Sequence, residues 1–167
     1  MRVFVTGASG WIGSAVVPEL IGADHQVIGL ARSDASAAAL TAAGAKLGTL
    51  DDLDSLRDAA AASDGVIHLA FKHDIAFSGN FQGAADADRR AVETFGEALA
   101  GSDRPFVIAS GTLGLAPGRV ATERDGHGPD AAVAALGGGL QTRLATAELV
   151  LSIASRRVRS SVFGPPT

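Results

Sequence analysis

Residues 6–13 read Thr-Gly-Ala-Ser-Gly-Trp-Ile-Gly, which sets Gly7, Gly10 and Gly13 at the TGxxGxxG spacing directly behind the apolar run Val3-Phe4-Val5. A chain that leaves a strand and enters a helix within a few residues needs backbone conformations that side chains obstruct. Gly7 permits the tight turn, Gly10 lets the backbone approach a pyrophosphate, and Gly13 lets the first helix lie against the strand. The free amides at the start of that helix, near Trp11 and Ile12, then face the phosphates. The chemistry implied is dinucleotide binding, and the flanking strand-like and helix-like runs are the context that the motif requires.

A second group of residues follows the next strand-like run. An acidic side chain there accepts hydrogen bonds from the ribose 2'-hydroxyl of NAD and repels a 2'-phosphate. This chain instead has Ala31, Arg32 and Ser33. A planar guanidinium pairs with phosphate and a hydroxyl donates to it, so Arg32 and Ser33 point to NADP(H), with NAD(H) as the alternative. The competing reading makes Arg32 a solvated residue at a strand end.

Positioning these groups takes alternating strands and helices, and the composition suits them. The 167 residues, 47% of them hydrophobic, fit one domain with one core, and a mean hydropathy of +0.24 argues against disorder. No uninterrupted apolar stretch is long enough to cross a bilayer, and no basic leader precedes an apolar segment, so no membrane partner and a cytoplasmic location are expected. The absence of cysteine excludes disulfides and thiolate chemistry, and the four histidines show no ligand-like clustering, so no metal site is expected. A net charge of -4 gives no reason to expect nucleic-acid binding.

Short β-like runs alternate with Ala-rich helical ones, the pattern of an α/β doubly wound parallel sheet with helices on both faces. Strands are predicted at Arg2–Val5, Gln26–Leu30, Lys46–Leu50, Gly65–Leu69, Pro105–Ala109 and Arg159–Phe163. Helices are predicted at Trp11–Ile21, Asp34–Ala43, Leu53–Ala62, Asp86–Ala100 and about Leu140–Ser155. Pro18 predicts a kink or a lost hydrogen bond near Ser14. Gly79–Gly83 and Ala116–Gly139 read as loops, and the ligand crevice is expected at the carboxyl ends of the strands, beside the first.

With these segments in place the chain resembles the short-chain dehydrogenase/reductase superfamily, in particular its extended and atypical branch of NAD-dependent epimerase/dehydratase-like proteins. The likeness rests on TGASGWIG at Thr6–Gly13, ARS at Ala31–Ser33, Asp51-Asp52, GVIHLAF at Gly65–Phe71 and FVIASGT at Phe106–Thr112, which span most of the chain in order. The resemblance implies a Rossmann fold whose cofactor passes Leu69, Ala70 and Phe71 after the fourth strand. Leu69 also suits a core position. Where the family commonly has Gly-Asp-Leu, this chain has Gly48-Thr49-Leu50, so Asp51 or Asp52 is expected to replace the carboxylate contact to adenine, or else to cap the next helix.

The resemblance further implies that Ser110, following the fifth strand, hydrogen-bonds the substrate oxygen, with Thr112 as a second hydroxyl, although serine also occurs at strand ends for structural reasons. The superfamily's YxxxK pair is missing: the chain has no tyrosine, and Lys46 and Lys72 are its only lysines. Arg143 and Glu148, on the helix where the pair belongs, read as surface charge or as ligand contacts. Without a tyrosine, His73 and Asp74 are the nearest proton-transfer candidates, since histidine titrates near neutral pH. His68 is expected inside, and His25 and His127 in turns.

The resembling proteins continue past Val162-Phe163-Gly164-Pro165-Pro166-Thr167 into a substrate-binding region, so residues 1–167 are expected to form a single NAD(P)-binding domain without it. Self-association into a homo-oligomer would then cover the exposed sheet edge. The leading expectation is an NADP(H)-dependent oxidoreductase-like protein that transfers hydride on a small-molecule substrate of carbonyl, hydroxyl or nucleotide-sugar type. The alternatives are a dinucleotide-binding module or cofactor sensor without turnover, and a structural protomer that has lost nucleotide affinity.

Overall fold

The computed structural model describes residues 1–38, 40, 44–111 and 138–164. Six strands form one parallel sheet: β1 (Arg2–Thr6), β2 (Gln26–Ala31), β3 (Gly44–Leu47), β4 (Gly65–His68), β5 (Pro105–Ala109) and β6 (Arg159–Phe163), in the order β3-β2-β1-β4-β5-β6. Among the described residues the helices are α1 (Gly13–Gly22), α2 (Asp34–Ala38), α3 (Leu53–Ala61), α4 (His73–Phe77), α5 (Phe81–Leu99) and α6 (Gly138–Ser152), the last running into a 3-10 turn at Ile153–Arg156. This is the expected Rossmann α/β fold. Strand order reverses between β1 and β4, which makes the carboxyl end of β1 the topological switch point.

The strand at the centre explains the two layers. Successive side chains of a strand point to opposite faces, and β1 sends Phe4 into one apolar cluster and Val3 and Val5 into another. The Phe4 cluster holds Leu56, Phe95, Phe106 and Val150 of the helices and strands on that side, with Phe95 edge-on to both Phe4 and Phe106 at ring separations of 6.1 and 5.8 Å. The opposite cluster packs Val17 of α1 and Leu40 against Val3, Val5 and Val27. Helices thus cover both faces, as parallel strands buried on both sides require.

Most element boundaries agree with the sequence reading, and the differences have local causes. β3 lies at Gly44–Leu47 rather than Lys46–Leu50, because Gly44–Leu47 pair with Ile28–Ala31 and the chain then turns away toward α3. α5 begins at Phe81 rather than Asp86. Asn80 caps it by accepting a hydrogen bond from the Gly83 amide at 2.9 Å, and a Cβ at Gly83 would lie 2.6 Å from the Asn80 side chain, so this glycine makes room for a cap and does not mark a loop. His73 and Asp74 sit on the short helix α4, not on a loop. Gly138 and Gly139 open α6, with Gly139 in contact with Phe81 and Gln82. Thr112, His127 and residues 116–137 of the predicted loop lie outside the described residues. Among the described residues no helix is long and apolar enough to cross a membrane.

Candidate functional site

The turn after β1 is built around its glycines. Gly7 has φ +69°, a left-handed conformation, and a Cβ there would lie 2.8 Å from the Ala70 nitrogen and 2.9 Å from the Leu69 carbonyl carbon. Gly13 is tighter: its Cβ would lie 2.2 Å from the Gly7 oxygen and 2.5 Å from the Ala8 oxygen. The close approach that Gly13 allows is therefore between α1 and the turn itself. Gly10 donates its amide to the Gly7 oxygen at 2.9 Å. The first turn of α1 carries no acidic residue, so its amides and helix dipole are not opposed by a negative side chain.

Beside this turn, at the switch point, opens a cleft of about 760 Å³, within the size range of small-molecule sites. It collects every cofactor residue expected from sequence. Gly7, Gly10, Trp11, Ile12 and Gly13 line one end, Arg32 and Ser33 the end of β2, Asp51 the turn between β3 and α3, and Leu69, Ala70 and Phe71 the segment after β4. The two readings of the acidic pair separate: Asp52 caps α3 by accepting from the Ser55 amide at 3.1 Å, while Asp51 faces the cleft. Leu69 satisfies both of its readings, since it lines the cleft and packs against the Val3–Val17 cluster.

Two ion pairs cross the cleft. Lys72 Nζ donates to Asp51 Oδ2 at 2.5 Å, and Arg32 Nη1 lies 3.4 Å from Asp74 Oδ2. Both tie the start of α4 to the opposite wall. Ser33 caps α2 through the Ser36 amide at 3.3 Å, and the two hydroxyls lie 3.1 Å apart next to Arg32. The glycine turn, the cation and the paired hydroxyls fit a dinucleotide: a backbone surface without side chains for the pyrophosphate, and donors for a group at the ribose 2' position.

A different arrangement fills the far side of the sheet. The buried His68 has Nδ1 2.6 Å from Thr6 Oγ1 and Nε2 3.1 Å from Asp88 Oδ1, and Asp88 is fully buried. Arg143 on α6 donates to Asp88 Oδ2 at 2.5 Å and to the Ala109 carbonyl at 2.5 Å, and its guanidinium lies 5.2 Å from the centre of the Phe71 ring. The Ala70 amide donates to Thr6 Oγ1 at 3.3 Å, which closes the chain back onto the cleft wall. His68 is internal as expected. Arg143 corrects the surface-charge reading: only 14% of its side chain is exposed, and it neutralises a buried carboxylate. Asp88 escaped the sequence reading, although a carboxylate among Ala84, Ala91, Val92 and Phe95 on the buried stripe of α5 was a visible signal.

His73 lines the cleft, exposed, with its ring 5.2 Å from Phe71 and 5.6 Å from Phe77. Ser110 is not among the residues that line the cleft; it is buried, and its amide donates to the Phe163 carbonyl at 2.7 Å, joining β5 to β6. Thr112 is outside the described residues. Among the described residues no group of three or more His, Asp or Glu side chains is placed to hold a metal.

Comparison with known proteins adds three findings. The model of the NAD dependent epimerase/dehydratase family matches residues 3–114. The uncharacterized Saccharomyces cerevisiae protein YLL056C is 42% identical over 170 residues, covering 99% of this chain and 53% of its own length, and the decarboxylating sterol-4-alpha-carboxylate 3-dehydrogenase of Dictyostelium discoideum is 39% identical over 73 residues, covering 42% of this chain and 22% of its own. The solved structure of MoeE5 in complex with UDP-glucose and NAD superposes with a TM-score of 0.72 at 26% identity, over 98% of this chain and 53% of that one. The chain spans about half the length of the yeast relative.

Proposed function

Because this chain belongs to the NAD-dependent epimerase/dehydratase family, we propose that it is an NADP(H)-dependent oxidoreductase-like protein of the atypical short-chain dehydrogenase type, acting by hydride transfer on a small molecule with a carbonyl, hydroxyl or nucleotide-sugar group. The observation that carries this reading is the cleft at the switch point, where the glycine turn and Arg32 line the same space. A bound nicotinamide dinucleotide supplies or accepts the hydride. The chain's own part is to hold it: the amides near Trp11 and Ile12 take the pyrophosphate, Arg32 and Ser33 take the 2'-phosphate, Asp51 lies on the adenine side, and Leu69–Phe71 form the wall. NAD(H) is the weaker choice because β2 is followed by Arg32, where an acidic residue would favour a free 2'-hydroxyl.

Both proton-transfer candidates, His73 and Asp74, line the cleft; Asp74 is paired with Arg32, and His73 takes the role in the catalytic reading. The test follows NADPH oxidation with a panel of carbonyl compounds. Turnover that falls in His73→Ala, with NADPH affinity kept, supports the assignment; full turnover in that variant removes it.

A second reading is a dinucleotide-binding module or cofactor sensor without turnover. It is favoured by the chain's lack of tyrosine. Tight NADPH binding with no oxidation across the panel supports it.

A further inference from the structure

We infer that Asp74 sets the balance between the two dinucleotides by competing with the 2'-phosphate for Arg32, an inference that rests on the cleft being the cofactor site. The guanidinium assigned to the phosphate already has an anionic partner, since Arg32 Nη1 lies 3.4 Å from Asp74 Oδ2 across the cleft. Asp74 is the second residue of α4, and the segment that carries it is anchored. The Lys72 bond to Asp51 ties it to the β3 side, and the Ala76 amide donates to the Lys72 carbonyl at 2.9 Å. The carboxylate is therefore held at the cleft by backbone and by a separate ion pair, not by Arg32 alone.

The two ligands meet this arrangement differently. A 2'-phosphate, with a charge of about -1.5 to -2 at neutral pH, must take Arg32 from Asp74 and then lie beside a like charge. A free 2'-hydroxyl takes no cation and can donate to the same carboxylate. Asp74 thus acts in the sense of the acidic residue that usually follows the second strand, but from the opposite wall, while Arg32, Ser33 and Ser36 act against it. Both partners of the pair are largely exposed, with 72% and 65% of their side chains accessible, so the competition is modest and screened by salt.

The test measures dissociation constants of NADPH and NADH by calorimetry at low ionic strength for the full chain and for Asp74→Asn, Arg32→Ala and the double variant. Asp74→Asn should tighten NADPH by about threefold to fivefold, the range set by an exposed ion pair, and leave NADH unchanged or weaker. In the Arg32→Ala background the same substitution should tighten NADPH by clearly less, because only the like-charge repulsion is left to relieve and no cation is released. An unchanged NADPH-to-NADH ratio in Asp74→Asn, with NADPH weakened in Arg32→Ala, overturns the role of Asp74 and leaves the site reading intact. An equal gain with and without Arg32 also overturns the competition. If Arg32→Ala alters neither ligand, the phosphate assignment itself has failed, and that result is distinct from the others.

Discussion

On the β1–β2 side of the cleft the polar groups line open space and pair at its surface, Arg32 with Asp74 and Asp51 with Lys72, whereas on the β4–α5–α6 side they are buried against one another. Glycine amides, Arg32, Ser33 and Asp51 line a cleft that a ligand can enter. Thr6, His68, Asp88 and Arg143 are linked hydrogen bond to hydrogen bond in the interior. The first set can exchange its partners for a ligand because water reaches it; the second is held at low dielectric, where losing one member strands the others. The contrast separates binding from support, so substitutions on the two sides should be felt in different measurements.

The largest effect is expected from Asp88→Ala, which leaves Arg143 and His68 without their shared acceptor. Loss of one partner of a buried ion pair costs about 3–5 kcal/mol, read as a shift of the urea midpoint at constant m. A loss under about 1 kcal/mol would put the network in the class of surface pairs and break the contrast. Gly13→Ala comes next. Its Cβ would lie 2.2 Å from the Gly7 oxygen, which should cost about 1–3 kcal/mol as overpacking and abolish NADPH binding by moving the turn. Arg32→Ala should leave the melting temperature in place and weaken NADPH by about fivefold with little change for NADH.

The smallest effect lies far from the cleft, at Asp103 and Arg157. The hydrogen bond from Arg157, reinforced by the charges of Arg157 and Arg159, holds the Asp103 carboxyl below the usual carboxylate range. A lowered carboxyl adds stability that is fully present above its unfolded value and is lost as pH falls through its folded value. Asp103→Asn should therefore lose a small part of the stability present at pH 7 and flatten the acid limb of the curve below about pH 4, where the two proteins converge. The pair is exposed, and an unaltered acid limb would show that it contributes nothing measurable.

The same contrast explains what could be read from the sequence. The glycine turn, Arg32 and Ser33 are local signals, each fixed by a short stretch and its flanking strand, and the structure brings all of them to one cleft. β5 and β6 were legible to the residue because continuous apolar or β-rich runs bound them. α4 was not, since five residues without a side-chain cap make no periodic pattern. Arg143 and Asp88 are 55 positions apart and Thr6 and His68 are 62 apart, so their pairing is a product of topology. Only the odd carboxylate on the apolar stripe of α5 announced it.

The central claim is that the cleft at the switch point is a dinucleotide site that prefers the 2'-phosphate form. Calorimetric titration of the purified chain with NADPH and with NADH tests it most directly. Saturable binding of NADPH, tighter than that of NADH and lost in Gly13→Ala, is the predicted result; a folded chain that binds neither cofactor would contradict it.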